Sequence, residues 1–241
     1  MLAALLLVSG AINASHLPEP EPRSCNIEVE GESYQSLMLT NTNEEYQISL
    51  HGYCHLRILL VGGGGQGNKM NSGGGSGYLK YYEVTLLESS VVAKVGNHGE
   101  PSTVTVNGAT IIAESGGEGE HIKGGDGYCG GGDWDNWQGN NGGFAGGNGE
   151  GGVGGAGTGE NISSYVFNSW SLSPGKWGNH YWYSYAGNRN YFGGGGGGVL
   201  VNEEGPFPSV FQGQGYGGGS NGYFEFGNGL PGVILIEAFS E

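Results

Sequence analysis

The chain has 241 residues, 55 of them glycine, and 23 acidic against eight basic residues give a formal charge of −15. That balance excludes a nucleic-acid binder, because phosphate contacts need clustered Lys and Arg and here the basic residues are scattered. Glycine at this level is either architecture or low-complexity disorder, and the order of segments along the chain separates the two.

Leu2 to Val8 is a short apolar run followed by Ser9-Gly10 and the small residues Ala11-Ile12-Asn13-Ala14. It is too short to span a bilayer and reads as a secretory signal over residues 1–14, cleaved near Ala14. Residues 15–24, with Pro18, Pro20 and Pro22 set among Glu19 and Glu21, read as an extended spacer. No later stretch is apolar enough for membrane insertion, so a secreted chain is expected, with residues 25–241 forming one domain.

From Cys25 to Ala113 the pattern is β. Asn26 to Glu30 and Tyr46 to Leu50 alternate, which predicts half-buried strands. Leu56 to Val61 is nearly all apolar and should be a strand buried on both faces. Tyr78 to Leu87, Val91 to Val95, Thr103 to Val106 and Thr110 to Ala113 follow, with turns at Asn97, Gly99 and Asn107-Gly108. The last of these is a two-residue hairpin signal. No helix is expected beyond the signal.

Ser115 to Gly229 is rich in glycine, asparagine and aromatics and has almost no β periodicity, and Pro231 to Phe239 then restores a strand. A buried-type strand needs partners, and the β segments that could supply them all lie before residue 114. Residues 115–229 are therefore an insertion within one sandwich. Its runs, like Gly62–Gly65 and Gly73–Gly75 before it, abut strands or aromatics: Gly130–Gly132, and Gly193–Gly198 between Phe192 and Val199. Each glycine costs roughly 0.5–1 kcal/mol more backbone entropy than alanine, so an ordered insertion needs its own cohesion. Extended threefold glycine helices, rising ~3.1 Å per residue, supply it by packing side by side with lateral N–H···O=C bonds and Cα–H···O support.

Cys25 and Cys54 sit in neighbouring β segments and are expected to form a disulfide, stabilising by ~3 kcal/mol. Cys129 is left over, either to pair between chains or to remain a buried thiol.

The passage Ile58-Leu59-Leu60-Val61 into Gly62–Gly65, then Gly73-Gly74-Gly75-Ser76-Gly77-Tyr78, then Val91 to Val95 with Gly96, resembles the secreted glycine-rich domains of phage tail tips, bacterial surface proteins and various animals. The close, Gly215-Tyr216-Gly217-Gly218-Gly219 leading to Gly229-Leu230-Pro231-Gly232-Val233-Ile234-Leu235-Ile236, matches their ending. The glycine-rich segment of the anaplastic lymphoma kinase and leukocyte tyrosine kinase ectodomains is similar. The resemblance covers roughly Tyr46 to Ala238 and implies an all-β, jelly-roll-like sandwich with an inserted polyglycine-II-type helix bundle. The chain departs from those receptors in having no transmembrane or kinase segment and in carrying an aromatic insert, Tyr165 to Phe192, so their signalling role does not transfer.

That insert is the foremost site candidate. It crowds Tyr165, Phe167, Trp170, Trp177, Tyr181, Trp182, Tyr183, Tyr185, Tyr191 and Phe192 beside Asn179, His180, Asn188 and Arg189. Aromatic area with hydrogen-bonding tips suits an extracellular protein or glycan partner. Most of these side chains are expected to shield the glycine bundle. Trp177, Tyr181, Trp182 and Tyr183 are expected to be exposed, because Pro174-Gly175-Lys176 and Gly178-Asn179 mark a loop.

Asp126, Asp133, Asp135 and Asn136 offer oxygen ligands but match no calcium-loop spacing, so a solvated acidic loop is expected. Asn161-Ile162-Ser163 is a glycosylation sequon, with Asn161 as acceptor. The glycine runs lack the Lys-Ser or Lys-Thr and following helix of a phosphate loop. The six histidines form no H-x-x-x-H, and no Gly-x-Ser-x-Gly elbow occurs. A non-enzymatic module without a cofactor follows, acting in recognition or adhesion. The alternative is a matrix component that self-associates through glycine packing and Cys129. The runs are irregular where fibrous proteins repeat at a fixed period, which favours recognition.

Overall fold

The computed structural model describes residues 25–68, 72–87, 90–121, 123–132, 134–135, 138–139, 142–143, 146–152, 154–160, 165, 167–170, 173–174, 191–192, 216–220 and 228–239. The signal and spacer segments lie outside them. Alternation in the sequence becomes strand throughout the first third of the chain. Nine strands precede the glycine-rich part: β1 (Asn26–Val29), β2 (Glu32–Tyr34), β3 (Ser36–Leu39), β4 (Glu45–His51), β5 (Tyr53–Val61), β6 (Leu79–Leu87), β7 (Ser90–Lys94), β8 (Ser102–Val106) and β9 (Ala109–Ala113). Four two-residue strands follow: β10 (Trp134–Asp135), β11 (Gln138–Gly139), β12 (Ser173–Pro174) and β13 (Tyr191–Phe192). The last is β14 (Val233–Phe239). The described residues contain no helix.

Two antiparallel sheets result, in the order β2-β1-β4-β7-β8-β9 and β3-β14-β5-β6. The β8–β9 turn has both central residues in the left-handed region, Asn107 at φ 51° and Gly108 at φ 74°, as its Asn-Gly pair predicts. The sequence reading ran the first strand through Glu30. The chain instead turns there, with Glu30 and Gly31 both at positive φ, and β2 and β3 follow. Those two were not legible, being three and four residues long and lacking clean alternation.

The core forms because β14 pairs along its whole length with β5, Val61↔Val233 to His55↔Phe239, and both are largely apolar on two faces. Leu56, Ile58 and Leu60 with Ile234, Ile236 and Ala238 point inward, against Ile27, Ile48, Leu50, Val91, Ala93 and Val104 of the other sheet. Leu59, Val61, Val233 and Leu235 point the other way. The Cys25–Cys54 disulfide is present and joins the residue just before β1 of one sheet to β5 of the other. Its closed loop contributes about 3–4 kcal/mol in the chain-entropy model.

The β5–β6 ladder ends at Val61↔Leu79, but the two segments do not part. Gly62 N–H donates to the Tyr78 carbonyl at 3.0 Å and Gly65 N–H to that of Gly75 at 2.8 Å. The spacing between bonds to one neighbour is now three residues rather than two. The residues between turn elsewhere: Gly63 donates to Glu100 O at 2.9 Å and Gly64 to Leu230 O at 2.8 Å. Residues 73–78 repeat the rule on three sides. Gly73 and Ser76 donate to Gly132 and Cys129, Gly74 and Gly77 to Ser220 and Gly217, and Gly75 and Tyr78 to Gly117 and Glu114. This glycine layer thus takes in residues 62–65 and 73–78, which the sequence reading gave to the sandwich, together with parts of the 115–229 insertion.

Close approach makes glycine obligatory here. A Cβ on Gly64 would stand 2.0 Å from the Gly218 carbonyl oxygen, and one on Gly74 would stand 2.2 Å from that of Gly65. Neither residue has positive φ, so the requirement is room and not backbone conformation. Next to the layer the buried Ser102 hydroxyl ties β8 of one sheet to β5 of the other: it donates to Val61 O at 2.7 Å and accepts from Gly96 N–H at 2.9 Å.

Candidate functional site

The outward face of the second sheet carries Leu59, Val61, Leu79, Val233 and Leu235, which would be exposed on a bare sandwich. Two parts of the glycine-rich region cover it. Tyr128 and Cys129, both fully buried, come from the glycine layer. Phe167 comes from a short strap, residues 165 and 167–170, whose Tyr165 and Trp170 pack beside it. The rings interlock: Tyr81 of β6 stacks on Tyr165 with centroids 5.0 Å apart, Phe167 meets Tyr81 edge-on at 5.9 Å, and Trp170 meets Phe167 at 5.8 Å. Tyr165, Phe167 and Trp170 therefore cover the sheet; the other aromatic side chains of the insert lie outside the described residues.

A carboxylate fixes the strap. Glu237 interrupts the apolar run of β14 and is only 3% exposed. Its oxygens accept the backbone N–H of Asn168 at 2.9 and 3.1 Å, the N–H of Ser169 at 2.8 Å and the Ser169 hydroxyl at 2.8 Å. Arg57 Nη1 lies 3.4 Å away, and its guanidinium sits over the Phe239 ring at 4.1 Å. Burial pushes the Glu237 carboxyl up, but the strap amides, the hydroxyl and Arg57 outweigh it and hold the pKa below the usual carboxylate value. Sequence reasoning missed this residue. The signal was a lone acid at the third position from the end of an otherwise apolar strand.

Beyond the strap, β12 pairs with β13 in parallel, Ser173↔Tyr191 and Pro174↔Phe192. This brings together the two ends of residues 175–190, the stretch that holds Trp177, Tyr181, Trp182 and Tyr183. Those four, and Asn161, lie outside the described residues.

Cys129 forms no disulfide and is buried, with Gly146 N–H donating to its Sγ at 3.3 Å. Asp126 is engaged within the layer: its Oδ1 accepts Ala156 N–H at 2.7 Å and its carbonyl accepts Gly117 N–H at 2.6 Å. A polar cleft of about 450 Å³ beside it is lined by Glu118, Glu120, His121 and Lys123. Among the described residues no three His, Cys, Asp or Glu side chains converge to hold a metal ion. Asp133 and Asn136 lie outside those residues. No helix among the described residues is long and apolar enough to cross a membrane.

No known protein family matches the chain, and no curated protein is similar enough to count as a relative.

Proposed function

We propose that the chain is a secreted, non-enzymatic recognition or adhesion module. In this reading a jelly-roll-like frame and a polyglycine-II-type layer hold out the 175–190 loop, and Trp177, Tyr181, Trp182 and Tyr183 contact an extracellular protein or glycan. One observation carries the reading: the residues that flank 175–190 are paired, Ser173 with Tyr191 and Pro174 with Phe192, while Glu237 ties the preceding strap to the sheet. Binding loops on rigid scaffolds lose little order when they engage a partner. The i, i+3 recurrence of hydrogen bonds from residues 62–65 and 73–78 supports the threefold-helix description of the layer. The alternative, self-association through Cys129, is the weaker reading because that thiol is buried, whereas the Cys25–Cys54 disulfide suits an oxidising compartment.

The test is a glycan array and a panel of secreted proteins, probed with the purified chain and with a Trp177→Ala/Trp182→Ala variant. The variant is expected to keep the wild-type melting temperature and to lose about 2 kcal/mol of binding, roughly thirtyfold, to any ligand found. A variant that no longer folds would make these tryptophans core residues and remove the reading.

A further inference from the structure

Two phenols face each other where the strap crosses the sheet. Tyr81 lies on β6 and Tyr165 on the strap, with ring planes 4° apart and centroids 5.0 Å apart. Each hydroxyl donates to a carboxylate, Tyr81 to Glu83 and Tyr165 to Glu160, the latter at 2.7 Å. Burial and these carboxylates raise both phenol pKa values, that of Tyr81 to about 12. At neutral pH each phenol therefore keeps its proton and has a base in contact to receive it. Removing an electron from a phenol makes its O–H strongly acidic, so oxidation here passes the proton directly to Glu83 or Glu160. Tyr34 makes the same kind of bond, to Glu32 at 2.6 Å, but no second tyrosine ring stands beside it among the described residues.

We propose that Tyr81 and Tyr165 form an oxidative cross-linking site, in which a haem peroxidase using hydrogen peroxide joins the two rings as a dityrosine. The peroxide takes one electron and one proton from each phenol and leaves as two waters. The two phenoxyl radicals then pair at the carbons ortho to oxygen, making one C–C bond. The hydrogen on each coupled carbon shifts to its oxygen and restores both phenols. Overall, two C–H bonds are exchanged for one C–C bond and one peroxide is reduced. Because the rings are already held together, coupling within one chain outruns coupling between dilute chains. The product ties the strap covalently to an edge strand of the sheet.

The experiment treats the dilute, disulfide-intact full chain with peroxidase and one equivalent of peroxide, then maps cross-linked peptides by mass spectrometry. The expected product is a Tyr81 peptide joined to a Tyr165 peptide, two hydrogens lighter than their sum, with a yield unchanged on dilution. Tyr165→Phe keeps the ring and its packing and should abolish that species and most of the dityrosine fluorescence. Glu160→Gln should slow its formation while leaving the fold intact. Coupling that spares Tyr81 and Tyr165, a yield that falls with dilution, or no dityrosine at all would overturn the proposal.

Discussion

Alanine at Gly75 tests the glycine layer at its centre. The added Cβ would stand 2.0 Å from the Asp126 carbonyl oxygen, 2.4 Å from the Asp126 carbonyl carbon and 2.7 Å from the Gly125 oxygen. All three are backbone atoms, so no side chain can swing aside, and the segments must separate by more than about 1 Å to reach ordinary contact. The bonds at risk are Gly75 N–H to Gly117 O at 3.0 Å, Gly65 N–H to Gly75 O at 2.8 Å and Gly117 N–H to Asp126 O at 2.6 Å. Orphaning two buried amides costs about 1–3 kcal/mol each. Alanine returns about 0.4–1 kcal/mol by restricting the unfolded chain. The net loss is about 3 kcal/mol, which for a domain of this size lowers the melting temperature by roughly 10 °C. Gly152 is the control, since a Cβ there meets nothing within 4 Å and its φ is not positive. Gly152→Ala should match the wild type or exceed it slightly. Thermal denaturation followed by circular dichroism reads both variants. If Gly75→Ala melts with the wild type, the layer is not held by close backbone approach and the reasoning fails.

Glu237→Ala strips the strap amides of their acceptor and is expected to destabilise toward the low end of about 3–5 kcal/mol, because Arg57 keeps Glu83 at 3.4 Å. Glu237→Gln should cost less, and urea denaturation ranks the two. Since the native carboxyl titrates below its ordinary value of 4.5, its stabilisation is complete above that pH and is lost as pH falls through the lower native pKa. Melting curves between about pH 6 and pH 2 should therefore converge for wild type and Glu237→Gln at the acid end. Curves that stay parallel would remove the charge from the argument. Ser102→Ala orphans Gly96 N–H and the Val61 carbonyl, and chemical denaturation should register a loss of about 1–3 kcal/mol.

Strand positions were legible wherever a period of two met a turn residue. Tyr46 to Leu50, Val91 to Val95 and the Asn107-Gly108 hairpin are cases, and the apolar Leu56–Val61 is buried on both faces as its composition requires. The Cys25–Cys54 pairing followed from the same layout. The long glycine runs announced a special packing, but short pairs such as Gly124-Gly125 did not. A Cβ on Gly124 would stand 1.9 Å from the Gly131 carbonyl oxygen and one on Gly125 2.0 Å from that of Gly117, contacts set by how the segments pack and recorded in no local pattern. Glu237 was visible as an acid in an apolar strand and passed over, since its partners at Asn168 and Ser169 are set by the strap's path. The four aromatics expected to be exposed on the loop lie outside the described residues.

A layer held by amide pairing rather than by apolar side chains has a thermodynamic signature of its own. Unfolding it wets peptide groups, and wetting polar surface lowers the heat capacity, whereas wetting the sandwich core raises it. The two contributions oppose each other within one chain. The heat-capacity increment per residue is accordingly smaller than the core alone would set, and the stability curve is broader. Cooling weakens apolar burial but leaves amide pairing largely in place, so the glycine layer carries a growing share of cohesion toward low temperature.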